Sequence, residues 1–200
     1  IDPLSVNAAS VLETGTALDA VSEPVWVFSG NGSQWSGMGR ALLADPVFGG
    51  AVAEVDQHFE PMAGYSLLAE LAGENGNERY AMTEIAQPAL FAVQVGLVRM
   101  LEQRGLRPQA VIGHSVGEVA AAWACGALSL AQATLVIYQR SFLQGLTRGD
   151  GQMSAVGLGG AQTMELLKEL SLSSDIVVAG ENSSNGSTVA GPIHALSLLE

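Results

Sequence analysis

The sequence predicts an α/β fold, and two observations carry the prediction. A β-branched pair, Val111-Ile112, runs into Gly113-His114-Ser115-Val116-Gly117 and then into an alanine-rich segment, the pattern of a strand that turns sharply into a helix. Beyond residue 150 the apolar pattern orders itself as strand, helix, strand, strand, helix, which is a split βαβ unit one strand short of completion. At 200 residues, 48% hydrophobic and 14% charged, the chain can fill the core of one domain, or of one domain and a small subdomain.

Each element has its own local reason. Residues 1–23 are small and polar without a clear period and read as a linker or irregular lead-in. "VWVF" at 25–28 is an apolar β-branched and aromatic run that ends in the glycine-rich "SGNGSQWSGMG", a strand followed by a loop. Asp45-Pro46 is a helix start, with Asp as the N-cap and Pro at the first helical position, and "VFGGAVAEVDQHF" continues it. "GENGNER" at 73–79 is a surface loop. Pro88 is expected to open the next helix, with Leu90, Val93, Leu97, Met100 and Leu101 on one face and Gly105 after its end.

After the Ser115 turn the alanine-rich helix is closed by Gly126. Ser129 and Gln132 form a capping box for a helix over 130–146. The texture changes at "TRGDGQ", and the following strands and helices are expected at 153–158, 161–170, 176–179, 187–190 and from Pro192 onward. Met38, Met82 and Met100 read as core or loop filler.

Charge and cysteine content exclude several functions. The net charge is −12, and only eight basic residues are present, one of them a lysine, Lys168. Nucleic-acid binding demands a basic face, and a polybasic membrane anchor demands the same, so neither is expected. No uninterrupted apolar run reaches the length of a membrane span, and no signal segment opens the chain. A single cysteine, Cys125, leaves no internal disulfide and no multi-thiolate zinc site, so no metal is expected and a reducing, cytoplasmic setting fits. A chain that opens on Ile1 reads as a piece processed or excised from something longer. No internal repeat is present.

The chemistry points to Ser115. In Gly-x-Ser-x-Gly between strand and helix the serine sits on a strained turn that aims its hydroxyl out of the sheet. The flanking glycines remove side chains that would clash with strand and helix. The helix start brings free N–H groups toward developing negative charge, and the N–H of Val116 points where a tetrahedral oxyanion would form. The bland alternative is a glycine-rich strand–helix turn without chemistry. A base is harder to find among the three histidines. His114 is adjacent to Ser115, where side chains diverge, so it is expected to shape the site or donate to bound substrate. His58 and His194 read as surface residues of helices. On local grounds Arg140 is a solvent-facing helix arginine, and Gln34 and Gln87 are ordinary polar residues.

Four stretches, "VWVFSGNGSQWSGMGRALL", "TEIAQPALFAVQVGLVRMLEQRGLRPQAVIGHSVGEVAAAWACGALSLAQATLVIYQRS", "GQMSAVGL" and "ENSSNGSTVAGP", in this order, resemble the acyltransferase domain of type I polyketide synthases, of the malonyl-CoA:acyl carrier protein transacylase family. The resemblance runs from about Pro24 to the C-terminus. It implies an α/β-hydrolase-like large subdomain (24–150) and an inserted ferredoxin-like small subdomain (151–200), incomplete at the C-terminus. It also implies that residues 1–23 are the end of a ketosynthase-to-acyltransferase linker.

The activity implied is ping-pong acyl transfer. Ser115 takes an acyl group from CoA, and the phosphopantetheine thiol of an acyl carrier protein takes it from Ser115, with no bound cofactor. The resemblance places Val116 and Gln34 as backbone oxyanion donors. Arg140 would be the guanidinium that grips the free carboxylate of malonyl, and Gln87 would line the site. Val116 after the serine favours malonyl over methylmalonyl. Asn31 stands where glutamine or histidine is more usual. The family's catalytic histidine is expected roughly 15–25 residues past Glu200, by strand and loop lengths. Partners implied are the acyl carrier protein and the neighbouring ketosynthase. Because carrier proteins are acidic, eight positive residues predict docking that relies partly on other segments. Two alternatives stay open: a serine hydrolase or thioesterase on the same elbow, and a non-catalytic docking fragment.

Overall fold

The computed structural model describes residues 23–74 and 77–199. The expected lead-in at 1–23 lies outside them except for Glu23, as does the terminal Glu200. The elements run β1 (Val25–Phe28), α1 (Pro46–Ala63), α2 (Leu67–Ala72), α3 (Thr83–Gln103), β2 (Ala110–Gly113), α4 (Gly117–Ala124), α5 (Leu130–Leu146), β3 (Gln152–Val156), α6 (Gly160–Glu169), β4 (Val177–Ser183), β5 (Gly186–Gly191) and α7 (Ile193–Leu199). This is the α/β class that the sequence predicts.

β1 and β2 pair in parallel, Val25 with Ala110 through Phe28 with Gly113, so both strands end at the same edge. The parallel pairing requires a crossover, and α1, α2 and α3 supply it. The strand alternation is visible in β1, where Phe28 is buried while Val27 is 71% exposed. The second sheet is antiparallel in the order β3-β5-β4, so the third strand of the unit lies between the first two. That is the order of a split βαβ. Two cores result. The large one gathers Phe48, Phe59, Phe91, Val52, Val55 and Ile137, and the small one gathers Leu167, Ile176, Val189 and Leu196.

α1 and α5 begin where their caps predict. The Asp45 carboxylate accepts from the N–H of Val47 and Phe48, and the Ser129–Gln132 capping box is present in both directions. α3 differs. It starts at Thr83, and Pro88 sits inside it. A proline there leaves the carbonyl four residues back without its helical donor. That carbonyl, on Glu84, instead accepts from the Tyr65 hydroxyl at 2.6 Å, so the helix passes through Pro88 with its hydrogen bonding satisfied. Burial and the nearby Glu70 carboxylate raise the pKa of that hydroxyl.

α3 is also not a one-sided helix. Every residue from Ile85 to Gly96 is buried, because α1, α2, α4 and α5 surround it, whereas Leu97, placed on the predicted apolar face, is 41% exposed. By length and composition α3 could cross a membrane, although no uninterrupted apolar run is present. With 78% of its apolar window buried in protein, it is the central helix of the large core. Met38 is buried in that core, and Met100 packs against it.

α2 has no counterpart in the sequence reading, although its frame is readable: Ser66 caps it by accepting from Ala69 N–H, and Gly73 closes it in the left-handed region. The expected loop at 73–79 contains the start of a 3₁₀ turn, Asn77–Ala81. The start of α2 is held from α1 by the buried carboxylate of Asp56, which accepts from Ser66 Oγ at 2.5 Å, Leu67 N–H at 2.6 Å and Leu68 N–H at 3.4 Å. Removing that carboxylate leaves buried donors unpaired. Asp56→Ala is expected to lower the unfolding free energy by about 2–3 kcal/mol, read from urea denaturation, with a smaller loss for Asp56→Asn.

Candidate active site

The elbow is built from backbone packed on backbone. A β-carbon on Gly113 would lie 2.4 Å from the main chain of Glu118 in α4, and one on Gly117 would lie 2.3 Å from the Phe28 carbonyl at the end of β1. Both glycines are therefore required by close approach, the strand pressing on its own helix and the helix on the neighbouring strand. Between them Ser115 has φ of 54°, a left-handed backbone that non-glycine residues rarely adopt. The side chain is exposed at the strand edge.

The loop after β1 closes over this turn. A β-carbon on Gly30 would meet the His114 carbonyl at 2.7 Å and Ser115 Cβ at 3.1 Å. Buried Gln94 of α3 donates to the Ser29 carbonyl at 2.9 Å and ties the loop to the core. Within the loop Ser33 Oγ donates to the Gly30 carbonyl, and Gln34 Oε1 accepts from Gly32 N–H. Neither the Val116 nor the Gln34 backbone N–H donates to another described residue, so both are uncommitted donors. The Gln34 side chain makes no hydrogen bond to Ser115 or Arg140.

Arg140 reaches the serine from α5. Its Nη2 donates to Ser115 Oγ at 3.3 Å. Its Nη1 donates to Gln87 Oε1 and, at 3.1 Å, to Gln144 Oε1. Gln87 Nε2 in turn donates to Gln144 Oε1 at 2.8 Å. Gln87 is only 1% exposed. Burial lowers the Arg140 pKa, and the negative charge of Glu118 partly opposes that shift. Among the described residues no carboxylate stands within ion-pair distance of Arg140.

Beside this triad Arg148 donates to both carboxylate oxygens of Glu84, at 2.8 and 2.6 Å, joining the end of α5 to the start of α3. A cleft of about 690 Å³ opens there, between Asn31, Gln144 and Arg148 on one side and Met153, Ala190 and Pro192 on the other.

The structure thus brings together Ser115, Arg140 and Gln87, with Val116 as the residue after the serine. His114 is exposed beside Gly30 and makes no hydrogen bond to Ser115, while His58 and His194 are exposed on α1 and α7. Arg140 is the hydrogen-bond partner of the Ser115 hydroxyl among the described residues. Gln94 and Gln144 are absent from the sequence reading. Each had a signal, Gln94 lying seven residues (two turns) after Gln87 and Gln144 four residues after Arg140 on the same helix face. Among the described residues no cluster of three or more His, Cys, Asp or Glu could hold a metal ion.

An exposed serine on a strained elbow, in hydrogen-bond contact with a guanidinium that has no carboxylate partner among the described residues, supplies groups that nucleophilic chemistry uses. The chain belongs to the acyl transferase domain family, whose model matches residues 25–199. It is 38% identical over 200 residues to Highly reducing polyketide synthase 17 of Metarhizium anisopliae, covering 92% of this chain and 6% of that synthase. It superposes on the acyltransferase domain from module 8 of the salinomycin polyketide synthase with a TM-score of 0.81 at 35% identity, covering 88% of this chain and 42% of that one. The malonyl CoA-acyl carrier protein transacylase of Burkholderia pseudomallei matches with a TM-score of 0.74 at 28% identity, over 88% of this chain and 58% of that one. The chain therefore spans a small fraction of the synthase it matches and about half of each of these solved chains.

The elbow contact makes a direct prediction. Gly117→Ala is expected to destabilise the chain by about 1–3 kcal/mol through overpacking against the Phe28 carbonyl, measured by urea denaturation.

Proposed function

We propose that the chain loads a malonyl extender unit from CoA onto an acyl carrier protein in polyketide biosynthesis. The observation that carries this reading is the position of Arg140, 3.3 Å from the Ser115 hydroxyl and without a carboxylate partner among the described residues. A guanidinium held uncompensated beside a nucleophile suits an acyl group that brings its own carboxylate, which it can grip with two parallel hydrogen bonds. A hydrolase of neutral esters has no use for it.

In this reading the Ser115 hydroxyl gives its proton to a general base and Oγ attacks the thioester carbonyl. The Val116 and Gln34 amides stabilise the oxyanion. Collapse breaks the carbon–sulfur bond, and CoA leaves as a thiol carrying the proton back from the base. The phosphopantetheine thiol of the carrier then attacks the malonyl-serine ester by the same steps in reverse and restores the Ser115 hydroxyl. None of the three histidines is hydrogen-bonded to Ser115, and the resemblance to acyltransferase domains implies a histidine past Glu200 as the base. His114 contributes a donor to bound substrate, and Gln87 orients Arg140. The 690 Å³ cleft is lined by Gln144, the partner of Arg140, but not by Ser115 or Arg140 themselves.

The same reading treats residues 24–150 as part of an α/β-hydrolase-like subdomain. Residues 151–200 form part of a ferredoxin-like one, and 1–23 are the end of a ketosynthase-to-acyltransferase linker. The working setting is a cytoplasmic synthase with a ketosynthase neighbour.

Radiolabelled malonyl-CoA is expected to label Ser115, and Ser115→Ala is expected to take no label. Arg140→Ala is expected to reduce malonyl loading about a hundredfold while acetyl loading is spared, from the loss of a paired charge-assisted contact. Equal loss of malonyl and acetyl loading would favour a general serine hydrolase. Absence of label on the full-length protein would make this segment a docking element.

A further inference from the structure

We infer that Gln144 is a positioning residue for selection of a carboxylate-bearing acyl group, holding Arg140 in place without neutralising it. The inference rests on the malonyl reading above and assigns to α5 a second residue of that selection.

A guanidinium has five N–H donors and no acceptor, so its direction is set by whatever takes those hydrogens. Carboxylates would take them most strongly, but they would also cancel the charge that a substrate acid must find. Here the acceptors are two amide oxygens. Arg140 Nη1 donates to Gln87 Oε1 and to Gln144 Oε1, which leaves Nη2 turned to Ser115. The neutral partners fix one edge of the fork and leave its full charge for the ligand. The pKa shift of Arg140 is consistent with this, since burial rather than a compensating charge is its largest cause.

Gln144 does more than add a second acceptor. The Gln87 side chain is buried, and its amide could point either way around. Donation from Gln87 Nε2 to Gln144 Oε1 at 2.8 Å selects the orientation in which the Gln87 oxygen faces the guanidinium. Without that acceptor the Gln87 amide has a buried donor to satisfy and can turn its NH₂ toward Arg140, like pole facing like pole. Gln144 thus sets Arg140 twice, once directly and once through Gln87. It sits four residues after Arg140 on α5, where helix geometry keeps the two side chains in register, and it lines the 690 Å³ cleft.

The test compares two near-isosteric replacements, Gln144→Met and Gln144→Glu, in the full-length protein, with kcat and KM measured for malonyl-CoA and acetyl-CoA. Met removes the acceptor but adds no charge. It is expected to lower the malonyl-to-acetyl ratio of kcat/KM about tenfold, with most of the change in the malonyl KM. Glu keeps an acceptor for both Arg140 and Gln87 and adds one negative charge. It is expected to lower the same ratio further, roughly a hundredfold.

A merely structural role predicts the opposite order, with Glu close to the parent protein and Met impairing both substrates alike, and that result would overturn the inference. So would an unchanged ratio in both variants where Arg140→Ala lowers it, which would leave the malonyl reading intact. If the parent protein itself fails to prefer malonyl over acetyl, the malonyl reading fails first, and this inference with it. Should the Met variant not fold, the ratio measured for the Glu variant decides alone.

Discussion

Everything at the site depends on two stretches of main chain touching without side chains between them. The end of β1 meets the first turn of α4 at Gly117, and β2 meets the same turn at Gly113. This contact stacks strand, elbow and helix so tightly that the residue in the middle has no room for a relaxed backbone. Ser115 accepts the left-handed conformation because the packing around it holds it there, and the cost is recovered in the surrounding core. The hydroxyl is then presented at the edge where both parallel strands end, in contact with Arg140.

α3 is the second support. It is buried all round from Ile85 to Gly96, and the two polar residues of that stretch, Gln87 and Gln94, are both hydrogen-bonded. Glu84 holds Arg148 near the cleft, Gln87 holds Arg140, and Gln94 holds the carbonyl of Ser29. Buried polar groups such as Gln87 and Gln94 are costly unless bonded, so each fixes what it bonds to, while the Glu84–Arg148 pair is partly exposed. Three neighbouring pieces, the loop after β1, the middle of α5 and the end of α5, are thereby registered against one rigid helix. Arg140 and the loop after β1 thus take their placement from a core helix.

The electrostatic design follows from the choice of partners. The chain carries an acidic balance of −12, yet the arginine beside Ser115 is paired with amides while Arg79, Arg99 and Arg148 are paired with carboxylates. The pairing with carboxylates elsewhere is structural and spends the charge. At Arg140 the charge is conserved by neutral acceptors in a half-buried setting, where water screens it less. The two kinds of arginine differ by their partners rather than by their position in the sequence.

Local chemistry was legible in the residues themselves. The Asp45-Pro46 start, the Ser129–Gln132 box, the elbow glycines and the strand–helix order after residue 150 all act over a few positions, and each appears where its short-range rule puts it. The resemblance to acyltransferase domains could name Arg140 and Gln87 because it carries long-range information that periodicity lacks. What the residues alone could not reveal was set by packing. α3 runs through Pro88 because a tyrosine from another segment satisfies the freed carbonyl, and it is buried on every side from Ile85 to Gly96 because four helices surround it. Arg140 meets Ser115 across 25 positions, and Gln144 meets Gln87 across 57. The elements were determined by interactions short enough to be written in neighbouring residues. The site was decided by which helix faces meet, and that depends on how the whole core closes.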